Sequence, residues 1–184
     1  MNRTIVVLLA AMFVGRAGAA DYGIGISAKS DNSLLYFPID LSSKLRIEPH
    51  LRYLSSESTQ ESDFGGEPVM FRSESDALEI GVGVFGLAVP KESVRLYYGM
   101  RAGYFDGDSR SSSATVQNEQ SYYGYRIVPT IGFEYQFNRH FTLGGEVGYA
   151  YEDHHIVTRG GSIDSETDFD RGGTDTFLIL RYFF

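Results

Sequence analysis

Residues 175–184 read DTFLILRYFF, and Leu178, Leu180, Tyr182 and Phe184 fall two apart with Arg181 among them on the opposite parity. A period of two belongs to an extended strand, whose successive side chains point to opposite faces. One face of this strand is entirely apolar or aromatic while the other carries a charge. Such a strand is suited to a boundary between a hydrocarbon-like medium and a polar one.

The same device recurs upstream. Residues 45–53, LRIEPHLRY, set Leu45, Ile47, Pro49, Leu51 and Tyr53 against Arg46, Glu48, His50 and Arg52. Residues 77–89 set Leu78, Ile80, Val82 and Val84 against Glu79, Gly81 and Gly83, and residues 94–104 set Leu96, Tyr98 and Met100 against Arg95, Gly99 and Arg101. In residues 122–137, Tyr125, Ile127, Ile131, Phe133 and Tyr135 oppose Arg126, Thr130, Gly132 and Glu134. With residues 22–29, 34–41 and 141–151, the alternation predicts eight strands.

The connectors alternate in length. Tight turns are expected near residues 42–44, 90–93 and 138–140, and long polar loops at 55–76, 106–120 and 152–173, with only the connector near 31–33 short on that side. An up-and-down sheet places alternate connectors at opposite ends, so one end is trimmed and the other carries loops. An even strand number puts both chain ends at the trimmed side. Phe133, Tyr135, Phe137, Phe141, Tyr182 and Phe184 gather toward the trimmed end, and Tyr53, Tyr104, Tyr123, Tyr125, Tyr149 and Tyr151 toward the looped one. Two aromatic belts are what the two interfaces of a bilayer favour.

Composition bounds the classes. Residues 1–20, MNRTIVVLLAAMFVGRAGAA, have a basic start at Arg3, an apolar run from Ile5 to Val14 and small residues before Asp21, the layout of a secretory signal peptide. Cleavage after Ala19 or Ala20 leaves residues 21–184 as one domain. Loss of Arg3 and Arg16 moves the formal charge from −8 to −10, since 14 basic then face 24 acidic residues. An acidic exported chain is a poor nucleic-acid binder. With no cysteine, stability rests on packing or on closure of the sheet. No run after residue 20 approaches the roughly 20 apolar residues of a helical span, but a strand crosses with about 9–11.

On these residues the chain resembles the small eight-stranded outer-membrane β-barrels of Gram-negative bacteria, of the OmpA-domain, OmpX and opacity-protein type. The resemblance covers essentially the whole of residues 21–184 and implies an all-β fold, an eight-stranded antiparallel up-and-down transmembrane barrel in the outer membrane. It also implies that Leu178, Leu180, Tyr182 and Phe184 form the C-terminal insertion signal read by the barrel-assembly machinery. Outer-membrane lipid and lipopolysaccharide would surround the barrel, with a further extracellular partner reached through the loops.

An eight-stranded barrel has an interior just wide enough for side chains to fill it. Parity sends Arg46, Glu48, His50, Arg52, Glu79, Arg95, Arg101, Arg126, Glu134, Glu146 and Arg181 into that interior as a polar network. Charges buried singly would be costly, so these must pair. The inward glycines at 23, 25, 81, 83, 99, 103, 132, 144 and 148 are expected to leave room for arginines reaching across. A filled tube favours a structural, adhesive or surface-interaction role over a narrow ion or solute path.

Other motifs carry less. GVGVFG at 81–86 matches G-x-G-x-x-G but lies inside an alternating strand, whereas a dinucleotide site needs a helix N-terminus after it. Asp106 and Asp108 have calcium-loop spacing, yet the closing position is Gln117. His154 and His155 point to opposite faces of a strand, which does not suit a shared metal. No cofactor or metal site is expected. Carboxylates at Glu57, Glu61, Asp63, Glu67, Asp164, Glu166, Asp168 and Asp170 could draw divalent cations that bridge lipopolysaccharide. Among barrels of the resembled type, a lipid A deacylase carries an outward His-x-Ser near the membrane edge and a palmitoyltransferase uses loop residues. Here His50-Leu51-Arg52, His140-Phe141-Thr142 and the pair at 154–155 lack His-x-Ser, and no catalytic residue is assigned.

Overall fold

The computed structural model describes residues 20–29, 32–63, 68–112, 117–159 and 165–184. The expected signal peptide up to Ala19, and the loop carboxylates Glu67 and Asp164, lie outside the described residues.

The chain is all-β. Its strands are β1 (Asp21–Lys29), β2 (Asn32–Tyr36), β3 (Ile39–Ser42), β4 (Leu45–Asp63), β5 (Pro68–Lys91), β6 (Val94–Ser112), β7 (Gln117–Gln136), β8 (Phe141–Arg159) and β9 (Ser165–Phe183). Each pairs antiparallel with its neighbour, and β1 pairs with β9, which closes the sheet into a ring.

Segments β2 and β3 are two halves of one barrel strand lying between β1 and β4. Pro38 interrupts it because a proline has no N–H to give the ladder. The gap is bridged all the same: the Gly23 N–H donates to the Pro38 carbonyl at 2.9 Å, and the Phe37 N–H to the Pro49 carbonyl at 2.9 Å. The ring therefore has the eight strands that the alternation predicts.

Following the register once around, from Leu178 of β9 through Ala28, Ser33, Tyr53, Leu78, Asp106, Tyr123 and His155, returns to β9 at Asp168. The stagger is 178 − 168, or ten residues. With about 3.3 Å per residue and about 4.8 Å between strands, that stagger tilts the strands by about 40°. On β7, Tyr125 of the outer belt and Tyr135 of the inner one are ten residues apart. Along a strand so tilted, this is about 25 Å of height, the span of an apolar band in such barrels.

Edge-to-face pairs tie the belts together: Tyr135 with Phe137, Phe141 with Tyr182 and Tyr182 with Phe184 at the inner rim, Tyr104 with Tyr125 and Tyr149 with Tyr151 at the outer. Between the belts the exposed residues include Ile26, Val82, Val84, Tyr98, Met100, Ile127, Ile131, Val147 and Leu178, with no charge on the outward parity. A closed ring satisfies every strand edge in that band, as a lipid-facing sheet requires.

The long connectors differ from the expectation of loops. Strands β4 and β5 pair from Leu45↔Gly86 out to Asp63↔Pro68, β6 and β7 out to Ser112↔Gln117, and β8 and β9 out to Thr158↔Ser165. Residues read as loops are mostly antiparallel ribbon. Above the bilayer both ribbon faces meet water, so both take mostly polar side chains and the period of two fades from the sequence while the backbone pairing continues.

Candidate functional site: a sealed lumen beneath an outward vestibule

All eleven residues assigned to the interior by parity point into the barrel. Ten are buried, and Arg95 is half-buried at the inner mouth. Asp40, Glu152 and Asp175 also point inward, three acids that the sequence reading did not place.

The charges form two connected groups. In the first, ion pairs run Arg95–Asp40 at 2.6 Å, Asp40–Arg46 at 2.6 Å, Arg46–Glu134 at 2.8 Å, Glu134–Arg181 at 3.1 Å, Arg181–Glu48 at 2.9 Å, Glu48–Arg101 at 2.6 Å and Arg101–Glu146 at 2.6 Å. The Tyr97 hydroxyl closes the run by donating to Glu146 at 3.1 Å. Four arginines meet four carboxylates, so the ladder is neutral and each acid has a cationic partner, the condition under which burial of charge is tolerated. In the second group, Glu79 lies 3.2 Å from His50, 3.5 Å from Arg52 and 3.6 Å from Arg126, and Arg126 also reaches Glu152 at 3.3 Å and Asp175.

The interior is more aromatic than a purely ionic plug. Leu34, Tyr36, Phe85, Leu87, Tyr97, Phe177 and Ile179 form one buried cluster within it. The arginines lie on its rings: Arg101 is 4.9 Å from the Tyr36 centroid and 4.8 Å from that of Phe85, and Arg181 is 5.1 Å from that of Tyr97. A desolvated guanidinium over an aromatic face gains cation–π attraction, which offsets part of its lost hydration.

The glycines serve these rings more than the arginine stems. A Cβ on Gly132 would sit 2.3 Å from the Tyr97 ring, one on Gly83 2.4 Å from Phe85, and one on Gly81 2.6 Å from the His50 ring. Gly25, facing the Arg181 stem at 2.8 Å, fits the original expectation. Gly132→Val should lower stability by about 1–3 kcal/mol through overpacking. Denaturant unfolding would measure it, and a Gly132→Val/Tyr97→Ala pair should be less destabilised than the sum of its members.

A signal for the aromatics was present in the sequence: Phe85 and Tyr97 stand on the polar parity, with glycines opposite. Asp40 gave none, because its strand is apolar on both faces, with Leu34 and Tyr36 inward and Leu35 and Phe37 outward.

The plug divides the interior into two spaces. An outer vestibule of about 560 Å³ is floored by Arg52, Glu79, Arg126 and Asp175 and walled by Phe105 and Tyr122. An inner recess of about 310 Å³ is bounded by Asp40, Arg95, His140 and Phe183. Between them Tyr36, Arg46, Glu48, Phe85, Tyr97 and Arg181 are fully buried.

His154 stacks on Phe169 at 4.7 Å and meets Glu152 at 3.0 Å, whereas His155 on the other face meets Asp168 at 2.5 Å. The histidines thus belong to separate environments. The G-x-G-x-x-G stretch runs through the middle of β5. Leu178, Leu180 and Phe184 are exposed on the outer surface and Tyr182 is half-buried against His140 and Phe141.

Comparisons with known proteins support the architecture. No protein-family model matches the chain, and no curated protein sequence matches it. Among solved structures, it is similar to a major outer membrane protein from Thermus thermophilus, with a TM-score of 0.62 and 15% identity over 90% of this chain and 100% of that one. It also matches Ail, the attachment invasion locus protein of Yersinia pestis, with a TM-score of 0.49 and 12% identity over 90% of this chain and 95% of that one. A third match is CarO2 of Acinetobacter baumannii, with a TM-score of 0.44 and 10% identity over 89% and 98% of the two chains. The first of these, with the closed ring and its two belts, shows the fold of a small eight-stranded outer-membrane β-barrel.

Proposed function

We propose that this small outer-membrane β-barrel is a sealed scaffold that displays acidic ribbons outside the cell, with a structural and surface-interaction role. The observation that carries the reading is the buried ladder and aromatic cluster standing between two blind spaces. Among the described residues this plug separates the two spaces, and what remains for function is the outward surface.

That surface is acidic: Glu57, Glu61, Glu74, Asp76, Asp106, Asp108, Glu166, Asp168 and Asp170 lie on the ribbons. Outer-leaflet lipid and lipopolysaccharide are its immediate surroundings, with divalent cations joining their phosphates to these carboxylates. Export through residues 1–20 and insertion through the face carrying Leu178, Leu180, Tyr182 and Phe184 belong to the same reading, as does the absence of a catalytic role.

The test has two arms. Purified barrel reconstituted in planar bilayers should give no stepwise conductance, and an epitope inserted at residues 64–67 should be labelled on intact cells. Conductance steps that change with Arg101→Gln or Glu134→Gln would instead make the lumen a narrow channel. An epitope reached only after permeabilisation would overturn surface display.

A further inference from the structure

The ring is complete only as far as its shortest strands allow. Strand β1 pairs with β9 up to Ala28↔Leu178, and β2 with β4 up to Asn32↔Leu54. The other strands continue outward, still paired in the order β4-β5-β6-β7-β8-β9. Above the β1–β2 hairpin the barrel is therefore an open six-stranded sheet with two edges, residues 55–63 of β4 and 165–174 of β9. Among the described residues, neither edge has a strand partner on its free side, and no Cα of β4 comes within 8 Å of one on β9.

The backbone groups on those edges can be identified. In an antiparallel ladder the N–H and C=O of one residue point to the same side, and the side alternates along the strand. The Phe37 N–H donates to the Pro49 carbonyl, so odd residues of β4 face the β2 side, and the unbroken register carries this to Ser55, Glu57, Thr59 and Glu61. The Phe184 N–H donates to the Tyr22 carbonyl, so even residues of β9 face the β1 side, up to Glu166, Asp168, Asp170, Gly172 and Thr174. These same residues are exposed. The two edges thus carry five carboxylates: Glu57 and Glu61 on one, Glu166, Asp168 and Asp170 on the other.

We propose that these edges bound a notch that receives an extended, basic β-hairpin of a partner protein by strand addition, which rests on the surface-display reading and names its partner class. At the base of the notch two strands, β1 and β2, lie between β9 and β4, so three strand spacings, about 14 Å, separate the edges there. A second hairpin fits that width and can pair with both edges. Its main-chain hydrogen bonds would supply affinity, as in other cases of strand addition. The acidic side chains select its charge. A second copy of this chain would set carboxylate against carboxylate, an arrangement that disfavours cross-strand pairing and protects edges from self-association.

The test uses the purified barrel in nanodiscs and two synthetic hairpins, one alternating lysine and threonine around an Asn-Gly turn, the other with glutamate in place of lysine. The lysine hairpin should bind and the glutamate hairpin should not. Thr59→Pro combined with Thr174→Pro removes one edge-facing N–H on each side and leaves the ladders to β5 and β8 intact. This pair should weaken binding by about tenfold or more while the barrel keeps its folded mobility in cold SDS. Glu57→Lys with Glu61→Lys should shift preference toward the glutamate hairpin. Binding that ignores the proline pair would reduce the contact to charge attraction and overturn strand addition. Absence of binding, or concentration-dependent dimers in sedimentation that place a second copy in the notch, would overturn it too. None of these results bears on conductance or on epitope labelling, so the surface-display reading is judged separately.

Discussion

Arg181→Leu should lower the unfolding free energy of the barrel by about 3–5 kcal/mol, the usual effect of removing one partner from a buried charge pair. Arg181 is fully buried, and its Nε donates to Glu48 Oε2 at 3.1 Å while one terminal nitrogen donates to Glu134 Oε2 at 3.1 Å. The other terminal nitrogen lies 2.9 Å from Glu48, off the hydrogen-bond line. It is the member that joins the Asp40–Arg46–Glu134 half of the ladder to the Glu48–Arg101–Glu146 half.

Glu48 keeps Arg101 and Glu134 keeps Arg46, but the ladder then holds three arginines against four carboxylates in a water-poor interior. Leucine supplies most of the missing volume, so the loss reads charge more than cavity. Arg181→Lys should fall between the two, since an ammonium restores the charge without the fork that reaches both acids. The fraction of protein running at folded mobility in cold SDS across a urea series would measure all three forms. Equal midpoints for Arg181→Leu and the parent would show that the ladder contributes nothing to stability.

Ile131→Arg should cost about 2–4 kcal/mol, the penalty measured for a basic side chain on the lipid face near the midplane of such barrels. Ile131 lies between Tyr125 and Tyr135 on β7 and is 61% exposed. In a protein bathed by water an exposed isoleucine exchanged for arginine would change stability by no more than about 0.5 kcal/mol. The size of the effect therefore distinguishes lipid from water at this position. Ser58→Arg, beyond the belt on an exposed ribbon strand and opposite Ser73, provides the water-facing control and should be near neutral. Unfolding in lipid vesicles would compare the two, and equal effects would remove hydrocarbon from the surroundings of Ile131.

The sequence made legible whatever had two different faces. From Leu45 to Tyr53 and from Leu178 to Phe184 the medium changes across the strand, and an alternating pattern is the direct consequence. Where both faces meet the same medium the pattern fails. Residues 55–63 are polar on both sides and read as loop although they are paired with β5. Residues 34–40 are apolar on both sides as far as Asp40, which hid the acid that anchors Arg46 and Arg95.

The lumen was legible in charge but not in connectivity. Parity tells that Arg101 points inward. That it spans from Glu48 on β4 to Glu146 on β8 depends on the stagger and on the rings of Tyr36 and Phe85 beneath it.

The seam between β1 and β9 has a kinetic consequence. Ala28 and Leu178 are partners separated by 178 − 28, or 150, positions along the chain. Every other strand pairing joins neighbours in the chain order of the barrel and can form as soon as both arms are present. The seam alone must wait for the whole chain, and its loop-closure entropy is the largest in the molecule. Closure is thus expected to be the slowest and last event of assembly, and an emerging chain stalled before β9 would hold an open sheet whose bare edges invite aggregation.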